Sequence, residues 1–140
     1  MDNNEYFLGI ADAVAKKSKD PSTKVGCVIV DDLGRIVSTG RNGFVESAPD
    51  DEWYDKGRPF KIANTLHAEL NAVIFAKRDI RGCVAYVTHP TCCHCISVLK
   101  QSGVSKVVFR EVSEEFKERW GTDEVFKLAE EIGVNIEEVQ

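Results

Sequence analysis

Two short motifs limit how this chain can fold. One is His67-Ala68-Glu69, and the other is Pro90-Thr91-Cys92-Cys93-His94-Cys95. Each stands at the start of a helical pattern, with a strand-like run between them. Cys92 and Cys95 are three apart, so on the first turn of a helix both sulfurs face one side. Thiolates at a helix N-terminus are stabilised by the macrodipole, which favours the form that binds metal. His67 adds a ring nitrogen from the preceding helix. The three donors meet only if the two helix starts come together across the intervening strand. Two sulfurs and one nitrogen form a set that prefers zinc.

The remaining pattern supplies a framework for that meeting. Residues 6–17 place Phe7, Ile10, Ala11 and Val14 on one helical face, and Asp20-Pro21 breaks the helix. The β-branched run 25–30 reads as a buried strand. Asp31-Asp32-Leu33-Gly34 is a hairpin turn, and 35–40 is the returning strand. Residues 44–64 show no clear periodicity and are expected to be a long irregular loop, a feature that is usually functional in a compact domain. Helices follow at 67–77, 93–101 and from Thr122 to the stop at Gly133, with strands at 83–88, 104–109 and 134–139. The acidic stretch 111–119 reads as a solvated helical face. Strands alternating with helices predict an α/β protein whose central sheet is covered on both faces. Its first two strands are expected to be antiparallel and its later ones parallel.

With 140 residues the chain suits one domain, 1–140. No apolar run approaches the roughly 20 residues of a membrane span. The start, Met1-Asp2-Asn3-Asn4-Glu5, lacks the basic and apolar regions of a secretory signal, so a cytoplasmic location is expected. Five cysteines, an odd number, argue for metal binding or inert burial over a disulfide framework. A net charge of −5 argues against a nucleic-acid partner, which needs clustered Lys and Arg. It leaves room for a small anionic substrate.

Three protein ligands leave a fourth zinc position for water, the arrangement of a catalytic site. Glu69 follows His67 by two positions. In mid-helix their side chains would diverge by about 200°. At a helix start both can border one pocket, and Glu69 can then move protons. The backbone amide near Ala68 is placed to bind a substrate carbonyl. The alternative is a closed structural site, for which His89, Cys93 or His94 would supply the fourth ligand.

His-x-Glu followed by Pro-Cys-x-x-Cys is the signature of zinc deaminases. Further segments make the likeness more specific. Ser18-Lys19-Asp20-Pro21-Ser22-Thr23-Lys24-Val25-Gly26, Gly40-Arg41-Asn42-Gly43-Phe44, His67-Ala68-Glu69-Leu70-Asn71-Ala72 and the run from Gln101 to Phe109 all resemble the cytidine deaminase superfamily. Within it, they resemble most the deoxycytidylate (dCMP) deaminases of bacteria and phages. Thr91 departs from that pattern, since the family usually has Pro directly before the first cysteine. Arg41 and Phe109 stand where tyrosine is common.

The resemblance implies a three-layer α/β/α sandwich around a mixed five-stranded sheet. It implies hydrolytic deamination of dCMP to dUMP and ammonia, supplying dUMP for dTMP synthesis. His67, Cys92 and Cys95 would hold Zn2+, and Glu69 would shuttle the proton of the zinc's water. Asn42 would hold the sugar hydroxyl or the base region. Ser22, Thr23 and Lys24 would lie near the 5′-phosphate. A homo-oligomer, commonly a hexamer, and regulation by dCTP and dTTP are also implied, with residues 41–61 the place to look for an effector site. The alternatives are a relative acting on a tRNA adenosine or a free nucleoside or base, and a non-catalytic, zinc-stabilised nucleotide sensor.

Overall fold

The computed structural model describes the backbone of residues 1–140 and the side chains of all but Phe116, Arg119 and Trp120. Helix α1 (Asn3–Ala15) leads into strands β1 (Gly26–Val30) and β2 (Ile36–Arg41). Two short helices, α2 (Asp50–Tyr54) and α3 (Arg58–Asn64), precede α4 (Ala68–Ala76), β3 (Val84–Val87) and α5 (Cys93–Gln101). Strand β4 (Lys106–Arg110), helices α6 (Glu114–Trp120) and α7 (Thr122–Ile132), and strand β5 (Asn135–Val139) complete the chain.

The strands form one sheet in the order β2-β1-β3-β4-β5. β1 pairs antiparallel with β2 and with β3, whereas β3, β4 and β5 run parallel. The mixed five-stranded sheet expected from the resemblance is therefore present. Its two faces are read directly from β1, which is buried along its whole length. Side chains alternate across a strand. Cys27 and Ile29 pack with Ala68 and Ala72 of α4, Leu99 of α5 and Val125 of α7. Val28 and Val30 pack on the other face with Phe7, Leu8 and Ala11 of α1. Helices thus cover both faces, giving the three-layer α/β/α sandwich.

The hairpin admits its helices closely because glycine stands on each face. A Cβ on Gly26 would lie 2.0 Å from the Ala11 carbonyl oxygen of α1, and one on Gly40 would lie 2.3 Å from that of Ala68 in α4. Any side chain at either position would push a helix away from the sheet.

The segment 44–64 is not the irregular loop that its sequence suggests. It contains α2 and α3, and neither has a buried residue. The reason is that its apolar side chains pack on one another. Phe44, Trp53, Tyr54 and Phe60 stack with centroids 4.4 to 5.9 Å apart. A self-contained aromatic cluster leaves no 3.6-residue stripe for a periodicity argument to find. The acidic stretch does form a helix, α6, with Glu114, Glu115 and Glu118 exposed.

Candidate active site

Both motifs sit just where a helix begins. His67 is the N-cap of α4, with extended backbone at φ −68° and ψ 154°. It lies outside the helix proper, so the 200° divergence of a helical i,i+2 pair does not apply to His67 and Glu69. Cys92 is the N-cap of α5, also extended, and its Sγ accepts the backbone N–H of Cys95 at 3.4 Å. Thr91 is 1% exposed and leaves Cys92 in this capping position.

The donor atoms converge. His67 Nδ1 is 3.3 Å from Cys95 Sγ and 3.6 Å from Cys92 Sγ. All three ligand atoms lie within 4.8 Å of one another, close enough to hold one metal ion. Among the described residues, His89, Cys93 and His94 are not part of this cluster. That matches a site with a free fourth position better than a closed one.

The electrostatics suit the same reading. A hydrogen bond from Cys95 holds the Cys92 thiol down at about 4, with His67 adding to the effect. The same bond, together with burial, pushes Cys95 up. The two sulfurs therefore divide one proton, which a metal displaces on binding. The Cys92 sulfur raises His67. Glu69 is 4% exposed. Burial pushes its carboxyl above the ordinary range, against its own backbone amide and the His67 charge. A buried carboxyl beside a metal-binding cluster is the arrangement expected of a proton carrier.

A cavity of about 330 Å³ opens onto these groups, lined by His67, Ala68, Glu69, His89 and Cys92. Asn42 and Thr23 also line it. Asn42, however, spends its amide on the backbone: Oδ1 accepts Val25 N–H at 2.9 Å, and Nδ2 donates to the Thr23 carbonyl at 2.8 Å. It ties the end of β2 to the turn before β1. Ser22 and Lys24 are not brought to the cavity wall, and the Lys24 ammonium donates to the Ser18 carbonyl. The cavity instead receives Arg58 and Lys61 from α3. The sequence reading missed both. A helix-start signal, Pro59 after Gly57-Arg58, with cations three apart on one face, is the pattern that marks them.

Asp20 organises this wall. Its Oδ1 accepts the backbone N–H of Ser22 at 2.8 Å and of Thr23 at 3.0 Å, and lies 3.2 Å from the Lys61 ammonium. Burial works against its charge, but these donors outweigh it and hold its pKa below 3.8. A depressed folded-state pKa stabilises above the unfolded value and is lost as pH falls through the folded one. Asp20→Asn is therefore expected to lower stability at pH 7 by about 1–3 kcal/mol. The gap from the parent protein should narrow below about pH 4. Thermal unfolding across pH 3 to 7 checks this, and a gap that stays constant with pH would contradict it.

Comparisons place the chain among known proteins. The family described as the cytidine and deoxycytidylate deaminase zinc-binding region matches residues 1–111. An uncharacterized deaminase from the luxG 3′ region of Aliivibrio fischeri is 47% identical over 115 residues, covering 82% of this chain and 77% of that protein. A probable deoxycytidylate deaminase of Caenorhabditis elegans is 42% identical over 119 residues, covering 82% of this chain but only 60% of the relative's length. The deoxycytidylate deaminase of Mycobacterium phage D29 is 35% identical over 127 residues, covering 80% of this chain and 97% of that one. In structure, the dCMP deaminase of cyanophage S-TIM5, solved with dCMP and dUMP, superposes with a TM-score of 0.77 at 28% identity. That superposition covers 96% of this chain and 95% of the phage protein. Fold, donor cluster and these likenesses agree, and the chain belongs to the zinc-binding family of cytidine and deoxycytidylate deaminases.

Proposed function

We propose that residues 1–140 act as one deaminase domain that converts dCMP and water to dUMP and ammonia, supplying dUMP for dTMP synthesis. The observation that carries this is the buried Glu69 carboxyl in the cavity that His67 and Cys92 line, with Cys95 completing their cluster. The names of the phage relatives support the choice of substrate. His67, Cys92 and Cys95 would hold a zinc ion, and zinc bound there would lower the pKa of water from about 15.7 towards about 7. Glu69 takes a proton from the attacking water as its oxygen bonds to C4 of cytosine, and delivers that proton to the ring nitrogen N3. It then carries the second proton to the amino group, and the C4–N bond breaks to release ammonia and leave the C4 carbonyl of dUMP. The Ala68 amide donates to the base carbonyl. Thr23 faces the substrate, while Asn42 holds the turn that carries Thr23.

A second cavity, of about 620 Å³, falls in the region 41–61 named for an effector and is lined by Arg41, Phe44, Asp50 and Tyr54 with Ile74 and Phe75 of α4. Ile74 and Phe75 are 48% and 54% exposed. These features support dCTP or dTTP binding there and burial of the apolar patch in a homo-oligomer. The described helices include none long and apolar enough to cross a membrane. All five cysteines are unpaired, which suits the reducing cytoplasm.

The test is ammonia release from dCMP, CMP, deoxycytidine, cytosine and tRNA adenosine, each with and without dCTP or dTTP. dCMP is expected to turn over fastest, and chelation of zinc is expected to abolish the activity until zinc is restored. Turnover of another substrate with none of dCMP would overturn the reading. Binding of dCTP or dTTP without turnover of any substrate would favour a sensor.

A further inference from the structure

The outer wall of the active-site cavity carries charge that proton transfer at Glu69 does not use. α3 presents Arg58 and Lys61 three positions apart, hence on one face, and both line the cavity with His67, Glu69 and Cys92. The two cations differ in their commitments. Lys61 is paired: its side chain is 16% exposed and its ammonium is 3.2 Å from Asp20 Oδ1. The same Asp20 Oδ1 also accepts the amides of Ser22 and Thr23. Arg58 is exposed, and among the described residues its guanidinium has no carboxylate partner and donates no hydrogen bond. An uncommitted guanidinium at the mouth of a cavity is poised for an anion that arrives with the ligand. Its planar fork matches two phosphate oxygens at once, which an ammonium cannot do. A cavity of about 330 Å³ is the right size class for one small nucleotide.

The geometry points to Arg58 as the group that grips the 5′-phosphate of a nucleotide whose base lies at Glu69. The Lys61–Asp20 pair fixes α3 against the turn 20–23 and so sets where Arg58 stands. Specificity for a monophosphate over a nucleoside then resides in α3, outside the zinc motifs and outside the Ser22-Thr23-Lys24 segment. This inference rests on the deaminase reading for the identity of the base.

The test measures binding, so it does not depend on turnover. Calorimetric titration of the zinc-loaded protein with dUMP and with deoxyuridine gives a ratio of dissociation constants. Arg58→Ala is expected to weaken dUMP by about 10- to 100-fold, the range of a charge-assisted hydrogen-bonded contact. Deoxyuridine binding should stay within about twofold, which also shows that the variant is folded. Arg58→Lys should recover part of the loss, because charge returns without the fork. Arg35→Ala, at the far end of the β1–β2 hairpin, removes the same charge and should keep the ratio. If Arg58→Ala keeps the ratio, or weakens both ligands equally, the assignment is wrong. An equal loss in Arg35→Ala would show a general field and not a contact, and would also overturn it. Should the parent protein bind dUMP through Arg58 yet fail to deaminate dCMP, the deaminase reading falls and the phosphate subsite stands.

Discussion

Glu69→Gln is expected to lower ammonia release from dCMP by at least about 10³-fold while zinc stays at one per chain. The amide has nearly the shape of the carboxyl, so a side chain that is 4% exposed keeps its packing. It cannot accept and return a proton at neutral pH. General acid–base catalysis contributes about 10²- to 10⁴-fold for one transfer. In the proposed mechanism Glu69 serves two transfers, which puts the loss at the upper part of that range. Zinc is retained because the donor cluster is His67, Cys92 and Cys95 and does not include Glu69. Metal analysis beside steady-state kinetics separates the outcomes. A variant with parental rates would remove Glu69 from proton transfer. A variant that loses zinc would make it a ligand.

The legible part of this fold is the part whose side chains report on the sheet. The run 25–30 reads as a buried strand because helices cover both of its faces, and β1 is buried throughout. α5 begins and ends where its pattern does, at Cys93 and Gln101, because Cys92 caps it and Ser102-Gly103 stops it. The donor set is legible for a related reason. Sequence spacing alone places Cys92 and Cys95 on one turn, and the strand β3 between two helix starts brings His67 alongside them. What fails is what depends on side-chain contacts that follow no helix or strand period. α2 and α3 hold to the chain through ring stacking among Phe44, Trp53, Tyr54 and Phe60. Lys61 reaches Asp20 across 41 positions. Lys24 follows a recognisable motif, yet its ammonium finds a carbonyl on its own turn. The helix-start pattern at Gly57-Arg58-Pro59 can mark a face that carries Arg58 and Lys61, but it does not say which wall that face meets.

Gly40→Ala is the second substitution expected to have a large effect, and it acts through the backbone. An ideal Cβ at this position lies 2.3 Å from the Ala68 carbonyl oxygen and 2.4 Å from the Ala72 amide nitrogen. Neither atom belongs to a flexible side chain, so relief requires α4 to move off β2. The helix is also pinned there. Ser38 Oγ donates to the Ala72 carbonyl at 2.7 Å, and Asn71 Nδ2 donates to that of Arg41 at 2.8 Å. Overpacking of this kind costs about 1–3 kcal/mol. The functional loss should exceed what the lost stability accounts for, because α4 carries Glu69 and is capped by His67. A displacement near 1 Å at a reacting group costs about 10²-fold in rate. Gly26→Ala is the informative contrast. Its Cβ meets Ala11 of α1, on the opposite face of the sheet, at 2.0 Å. Both variants should unfold at lower temperature, but only Gly40→Ala should lose about 100-fold in kcat per folded, zinc-loaded chain. Gly9→Ala, whose Cβ would meet nothing within 4 Å on α1, should be neutral or stabilising by up to about 1 kcal/mol. Equal activity in the Gly26 and Gly40 variants, measured per folded chain, would show that α4 tolerates the shift and that Glu69 is placed by something other than its contact with β2.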